Sequence, residues 1–293
     1  MFDFIGDVHG KADQLHTLLK KLGYTQENGS YRHAEFKAVF VGDLINKGRQ
    51  NKEVLRTVRA MVDAGQARAV VGNHELYLIG LFHKHKQNDF IYSPTGENRK
   101  KHEPTFESFA GEDDALHAYI QWLRQLPLFW ETEAFRVAHA YWHQPSVDLL
   151  KQHFPQYCLD DQLIHEMTPG SKVENAVMEI IEGVRLPGPQ GDDTFKAKWW
   201  NLGKSNRYRD LAIRPDTEVG DPHISTEGIR ISEYQYPKDA KPFFFGHYNL
   251  PGRPILVAHN YTCLDFNRED NPLVVAYRWE GEQVLDSRKI CWC

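Results

Sequence analysis

The first 80 residues carry one pattern three times: a short apolar run, a Gly-Asp or Gly-Asn turn, then apolar positions at helical spacing. Phe2 to Ile5 leads into Gly6-Asp7-Val8-His9-Gly10. Leu15, Leu18, Leu19 and Leu22 then share one helical face, and Gly23 stops it. Ala38 to Val41 leads into Gly42-Asp43, with Val54, Leu55, Val58, Met61 and Val62 as the second stripe, ending near Gly65. Ala69 to Val71 leads into Gly72-Asn73-His74-Glu75. Such stripes are helix faces that bury against a sheet. Strand and helix in alternation predict an α/β fold with a largely parallel sheet covered by helices. Two later apolar runs end in the same way, Phe135 to Ala138 at His139 and Phe243 to Phe245 at Gly246-His247. The polar chemistry therefore collects past the carboxyl ends of strands, where open α/β sheets bind ligands. Tyr261 to Asp265 and Leu273 to Trp279 read as strands, with Glu280-Gly281 turning into Gln283 to Leu285, and these are expected to form a second sheet.

Two stretches interrupt the pattern. Roughly 83–130 is polar and charged, with Leu116, Ile120 and Leu123 on one face, and reads as a helical insert. Roughly 144–236 is mixed, with Pro187-Gly188-Pro189 and the pair Trp199-Trp200. Inserts at the ligand edge shape substrate access. The 293 residues fit a single domain, 1–293, carrying both.

Composition adds exclusions. With 41% hydrophobic and 26% charged residues the chain is not disordered throughout. A net charge of −5 argues against general attraction to nucleic acid or an anionic membrane, though a local basic patch stays open. Cys158, Cys263, Cys291 and Cys293 contain no Cys-x-x-Cys pair, so no thiolate zinc site is expected, and the low count fits a reducing compartment. No apolar leader follows Met1 and no run is long enough to span a bilayer; a cytoplasmic location is the expectation.

Asp7 and His9, two apart on one turn, can face one ion. Asp43 comes from the next strand end, and a carboxylate there can bridge two cations about 3.5–4 Å apart. Asn73 offers a carbonyl oxygen; His139 and His247 offer imidazole nitrogens. Mixed imidazole and carboxylate ligands suit two divalent transition metals, manganese first and iron or zinc next, better than magnesium or calcium. Ions so held acidify a shared water and neutralise phosphoryl oxygens. Gly6, Gly10, Gly42, Gly48 and Gly72 let the backbone turn sharply and approach ions and phosphate. Each piece alone is a common turn or a structural histidine. The three motifs together, each after a strand and before a helix, point to a metal site.

These motifs resemble those of the phosphoprotein phosphatase branch of the calcineurin-like metallophosphoesterases, bacterial members such as the symmetrical diadenosine tetraphosphate hydrolases above all. The family's GDxHG, GDxVDRG and GNHE motifs read here GDVHG at Gly6 to Gly10, GDLINKG at Gly42 to Gly48 and GNHE at Gly72 to Glu75. Ala138-His139-Ala140, Phe245-Gly246-His247-Tyr248 and Cys263-Leu264-Asp265 are similar to its later motifs. The resemblance covers the N-terminal third and part of the C-terminal region, and neither insert. It implies a four-layer αββα metallophosphoesterase sandwich with helical and loop insertions around a dinuclear centre. Asp7 and His9 then bind the first metal, Asp43 bridges, and Asn73, His139 and His247 bind the second. His74 is the implied general acid. A metal-bridging hydroxide attacks phosphorus in line, with no covalent enzyme intermediate.

Two positions depart from the family. Asn46 stands where the family has the Asp that orients the catalytic histidine; it can accept a hydrogen bond from His74 but brings no charge, which weakens His74 as an acid. Lys47 stands where the family has an Arg that grips phosphate, giving a point charge instead of a fork. Arg49 is a candidate to take over, beside Lys47 and Asn73, as a phosphate contact. Substrates with good leaving groups, phosphoanhydrides or aryl esters, are therefore favoured.

Other residues have plainer readings. Glu75 is expected to brace its loop, and His143 and His259 to be structural. Asp265 either orients His247 or holds a turn. Lys196, Lys198, Arg207, Arg209 and Arg214 surround Trp199 and Trp200; recognition of phosphate or base competes with a solvated face over core tryptophans, and the second is preferred. The leading function is a phosphatase on phosphoprotein or a small phosphoester, the alternative a dinucleoside polyphosphate hydrolase. The expected partner is a phosphorylated small molecule, nucleotide or protein. A non-catalytic phosphate-binding module ranks lower because all six ligand positions are filled, and a nucleic-acid phosphodiesterase is disfavoured by the acidic balance.

Overall fold

The computed structural model describes residues 1–86, 89–189, 193–225, 231–268 and 272–293. Strand β1 (Phe2–Ile5) runs through the Gly6–Gly10 turn into helix α1 (Ala12–Lys21), which buries Leu15, Leu18 and Leu19. A hairpin, β2 (Thr25–Glu27) and β3 (Ser30–Arg32), precedes β4 (Lys37–Phe40) and helix α2 (Asn51–Asp63). β5 (Ala67–Ala69) is followed closely by α3 (Asn73–Gly80). The first insert is helical as expected: α4 (Gly96–Lys101), α5 (Glu103–Ser108) and α6 (Asp113–Leu123). β6 (Phe129–Glu131) and β7 (Arg136–Ala138) pair antiparallel. The second insert starts with α7 (Gln144–His153), α8 (Asp161–Glu166) and α9 (Lys172–Glu182). A hairpin, β8 (Arg185–Pro187) and β9 (Thr194–Lys196), and the short α10 (Tyr208–Leu211) follow. The chain then adds β10 (Phe243–Phe245), β11 (Tyr261–Cys263), β12 (Asp265–Asn267), β13 (Pro272–Trp279) and β14 (Ile290–Trp292).

One sheet has the order β12-β13-β1-β4-β5, with β14 on the far part of β13; the other is β11-β10-β7-β6. β1, β4 and β5 are parallel as predicted, but β13 lies antiparallel on β1, so the first sheet is mixed. The C-terminal strands do not form a sheet of their own. Tyr261 to Asp265 breaks at Leu264, where the chain leaves the second sheet and joins the first. The Leu264 side chain enters the core between the sheets, and its carbonyl lies so close to Gly6 that a Cβ there would be 2.0 Å away. Gln283 to Leu285 is not a strand either. Val284 is 63% exposed, and the chain makes a 3-10 turn at Ser287–Lys289 before returning as β14.

Alternation along each strand sorts the side chains into layers. Phe4, Val39, Phe135, Val137, Phe244 and Tyr277 point between the sheets, where the Phe4 and Phe244 rings stack at 3.7 Å. Ile5 and Phe40 face the other way, in the core that holds Leu15 and Leu55 of the helices. Phe243 and Phe245 face outward with Val177 and Ile180 of α9 and with Trp199, whose indole N–H donates to Ala140 O at 3.2 Å. Helix, sheet, sheet and helix stack in the expected αββα sequence. Each buried Phe contributes about 1.5–3 kcal/mol, so these interdigitated rings are a main source of stability. The loops after β1, β4, β5, β7 and β10 meet at one edge.

Candidate metal centre

The loop after β1 turns through His9 at φ 48°, and the loop after β4 through Asp43 at 49°, Asn46 at 69° and Lys47 at 60°. His247 at 72° and Asn249 at 48° do the same after β10. Left-handed backbone is unfavourable for residues with a Cβ, and its concentration here marks a site the surrounding fold holds under strain.

His9 donates from Nδ1 to Ile45 O at 3.0 Å, because a carbonyl can only accept; its Nε2 lone pair then faces inward. That nitrogen lies 3.7 Å from Asp7 Oδ2 and 3.6 Å from Asp43 Oδ2. His139 donates from Nδ1 to Val41 O at 2.8 Å, and its Nε2 lies 3.3 Å from Asp43 Oδ1 and 3.2 Å from Asn73 Oδ1. His247 Nδ1 is 3.1 Å from the same Asn73 oxygen. The two oxygens of Asp43 thus face two different nitrogen and oxygen sets, as a bridging carboxylate does. Ligand atoms of Asp43, His139 and His247 lie within 4.8 Å of one another, and so do those of His9, Asp43 and His74. The second trio has His74 where the sequence resemblance puts Asp7; Asp7 reaches the same nitrogen of His9.

Acceptor atoms face acceptor atoms throughout this cluster, which only cations or protons can reconcile. Four carboxylates, Asp7, Asp43, Glu75 and Asp265, are buried together. Burial raises the Asp7 carboxyl well above its ordinary value, and the charges of Asp265 and Asp43 add to this. Burial opposes charge on His139, yet Asp43 prevails and raises it. The Lys47 ammonium already sits 2.7 Å from His9 Nε2, and among the described residues the buried His247 Nε2 has no partner. Buried like charges are costly unless paired. Carboxylate, amide oxygen and imidazole together fit divalent transition ions.

The residues around the ligands explain the rest of the motifs. Glu75 accepts from four backbone N–H groups, those of Gly72, Asp43, Leu44 and Ile45, at 2.8–3.2 Å. It braces the loops, as expected. Burial and then Asp43 push its carboxyl up to about 7, against the pull of those N–H groups. The glycines make room for protein more than for phosphate. A Cβ on Gly72 would lie 2.3 Å from Asp43 Oδ1, and one on Gly246 1.9 Å from Asp7 Oδ1. Asp265 accepts from Asn249 N at 2.6 Å and Asn267 N at 3.0 Å, so it holds the turn after His247.

His74 sits at the start of α3, its Nδ1 2.7 Å from the amide nitrogen of Asn46. The sequence alone suggests that Asn46 accepts from His74. Instead Thr105 Oγ1 of α5 donates to Asn46 Oδ1 at 2.5 Å, which turns the Asn46 NH2 toward the histidine. The His74 proton is therefore on Nε2. Burial, opposed by Asp43 and reinforced by Lys47, pushes His74 down to about 4.

A cleft of about 330 Å³ opens over this floor, and Lys47, Lys196 and Arg214 supply cations along it. Lys196 reaches to 3.4 Å from His247 O. Burial lowers its pKa, while Glu182, Asp43, Asp265 and Asp7 oppose the shift. Phe195, Ile213, Tyr248 and Asn249 complete the wall. The basic stretch is therefore not one solvated face. Lys196 and Arg214 turn to the cleft, whereas Lys198 and Arg207 reach backbone carbonyls at 3.4 and 3.1 Å. Lysine and arginine density flagged the stretch, but side-chain direction could not be read from it. Arg49 is exposed and lies outside the cleft lining. His143 pairs with Glu179 at 2.6 Å and Ser146 at 2.8 Å, and His259 with Lys238 O at 2.9 Å; both are structural.

An αββα sandwich with imidazole and carboxylate ligands gathered at the carboxyl edge of both sheets defines the class of metal-dependent phosphoesterases. The model of the calcineurin-like phosphoesterase family matches residues 1–277, and the chain belongs to that family, which works with divalent metal ions. The chain is 32% identical over 143 residues to the asymmetrical bis(5'-nucleosyl)-tetraphosphatase PrpE of Oceanobacillus iheyensis, covering 47% of this chain and 55% of that one. It is 32% identical over 136 residues to the symmetrical bis(5'-nucleosyl)-tetraphosphatase of Ralstonia nicotianae, covering 46% of this chain and 40% of that one. The chain thus spans about half the length of these relatives or less. A cold-active protein-tyrosine phosphatase from a Shewanella species shares the fold, with a TM-score of 0.51 at 17% identity over 94% of this chain and 75% of that one. Among the described residues no helix is long and apolar enough to cross a membrane.

Proposed function

We propose that this protein hydrolyses dinucleoside polyphosphates at a centre of two divalent metals, with manganese the first choice. This reverses the order of the two hydrolase readings drawn from the sequence. The observation that carries it is the row of cations, Lys47, Lys196 and Arg214, along one cleft above the ligand cluster. One phosphoryl group does not require three cations; a run of phosphates does. The relatives named as bis(5'-nucleosyl)-tetraphosphatases support the same substrate class.

Asp7, His9 and Asp43 would hold one ion, and Asp43, Asn73, His139 and His247 the other. Bound there, the ions supply Lewis acidity that activates water and neutralises phosphoryl charge. Lys47, Lys196 and Arg214 align the phosphate chain, a task that the placement of Arg49 leaves to the insert. His74, with its proton on Nε2, offers a neutral hydrogen-bond donor beside Asp43. Water adds to phosphorus and gives up a proton to solvent, the P–O bond to the bridging oxygen breaks, and the leaving phosphate takes the electron pair. Such a leaving group departs as an anion and needs no proton, which suits a histidine paired with an amide.

The test is a substrate panel on metal-stripped protein with and without Mn²⁺: diadenosine tetraphosphate, p-nitrophenyl phosphate, bis-p-nitrophenyl phosphate and a phosphothreonine peptide. The expected result is highest kcat/KM on diadenosine tetraphosphate, dependent on metal and lost in Asp43→Asn. A phosphopeptide or monoester turned over more efficiently overturns the substrate assignment, and activity indifferent to metal overturns the centre.

A further inference from the structure

A second pocket, of about 190 Å³, lies one side chain from the cleft, lined by Tyr77, Leu81, Tyr92, Asn98, Lys101 and His102. His74 links them: it lines the cleft, and its ring lies 6.4 Å from that of Tyr77 and 6.3 Å from that of His102, both of which line the second pocket. His102 Nε2 also lies 3.2 Å from His74 O, and its Nδ1 lies 3.0 Å from Asn98 O. The first insert, which also orients the Asn46 amide through Thr105, thus supplies Tyr92, Asn98, Lys101 and His102 to a pocket built against Tyr77 of α3.

The chamber's chemistry is specific. The Tyr77 and Tyr92 rings meet at 86° with centroids 4.8 Å apart, forming an aromatic corner in the pocket wall. Both hydroxyls are tied back to α9, that of Tyr77 to Glu182 and that of Tyr92 to Met178 Sδ at 3.8 Å, so the rings are held in place. Asn98 is half-buried, and among the described residues its side-chain amide has no partner. An amide presents one donor and one acceptor side by side, the pattern that pairs with the N6 amino group and N7 of adenine. Lys101 adds a cation at the rim. The volume is below the roughly 300 Å³ at which pockets begin to take whole drug-sized ligands, so a single planar ring system fits and a peptide segment does not.

We propose that this pocket binds the base, adenine by preference, of a nucleotide whose phosphates lie in the cleft, Tyr92 stacking on the base and Asn98 reading its edge. The inference rests on the nucleotide-substrate reading above and adds which residues recognise the nucleoside.

Calorimetry on the Mn²⁺-loaded protein would compare adenosine 5'-monophosphate with ribose 5-phosphate, which lacks the base. Wild type is expected to bind the nucleotide at least about ten-fold more tightly, the factor one good stack or bidentate pair supplies. The ratio should fall toward one in Asn98→Leu and in Tyr92→Leu, and be partly kept in Asn98→Gln, which retains donor and acceptor. Helix α4 has no buried residue, so the Asn98 variants are not threatened by misfolding. A wild-type ratio of one, or a ratio unchanged by both leucine variants, overturns the proposal. The two readings separate cleanly. Base preference lost in the variants, with no hydrolysis of diadenosine tetraphosphate by wild type, leaves the pocket standing and removes the proposed reaction. Efficient hydrolysis with an unaltered ratio removes the pocket alone.

Discussion

Only a hydrogen atom fits on the inner side of Gly246, because a Cβ there would lie 1.9 Å from Asp7 Oδ1. Gly246→Ala must displace the carboxylate that faces His9 Nε2, and misplacing a reacting group by an ångström costs about 100-fold in rate. The expected outcome is loss of bound metal after dialysis, by elemental analysis, and a drop in kcat of at least that order. Gly65→Ala is the contrast. Its φ of 66° strains an alanine by about 1–2 kcal/mol, but nothing lies within 4 Å of the new Cβ, so metal content should stay intact. Asn46 carries a second expectation. Its amide now donates to His74 Nδ1; a carboxylate would accept there, leaving a proton on each nitrogen of a charged ring. Asn46→Asp should raise the rate on a phosphothreonine peptide relative to diadenosine tetraphosphate by about 100-fold, the usual contribution of a general acid. A flat ratio refutes the hydrogen-bond argument.

Glu131 of β6 ties three elements together. It meets Arg136 of β7 at 2.8 Å, Lys151 of α7 at 2.6 Å and Lys241, just before β10, at 3.3 Å. Burial alone would raise its pKa, but hydrogen bonds from Lys151 and Arg136 outweigh that and bring it from 4.5 down to about 2. The folded state thus gives up this proton more readily than the unfolded state. The stabilisation is complete above about 4.5 and disappears as pH falls toward about 2. Glu131→Gln should flatten that limb of stability against pH in urea melts, and an unchanged slope refutes the assignment. Elements such as these also divide what the sequence discloses from what it hides. The first three strand-turn-helix units were legible because apolar period and turn chemistry lie in one continuous stretch, and His139 and His247 because each ends an apolar run. The crossing at Leu264 was not legible, since it depends on the fit against Gly6 across the fold. Nor was the orientation of the Asn46 amide, set by Thr105 in an insert whose period predicts helices but not their docking. Lys196 and Arg214 were visible only as charge, because the loops that aim them carry no periodic signal.

At the scale of the molecule, the ligand cluster joins the two sheets. Asp7, His9, Asp43 and Asn73 follow strands of the first sheet, and His139 and His247 follow strands of the second. Ions held between them would clamp sheet to sheet, while a stripped centre leaves Asp7 and Asp43 buried as like charges beside Asp265. Metal removal is therefore expected to destabilise the whole fold as well as end catalysis. At free metal 100-fold above Kd, one bound ion adds about 2.7 kcal/mol, and a chain of this size should lose roughly 5 °C or more in Tm on stripping. Calorimetric scans with chelator and with Mn²⁺ measure the difference. Asp43→Asn separates charge from clamping. Without metal the variant should melt below stripped wild type. Burial opposes charge on Asp43, but His139 and His74 outweigh it and hold the carboxyl well below its usual value, so its charge stabilises the stripped fold. With Mn²⁺ it should gain little, because the bridging oxygens are no longer both anionic. If Mn²⁺ raises Tm equally in the variant and in wild type, the ions bind elsewhere, and Asp43 does not bridge the two sheets.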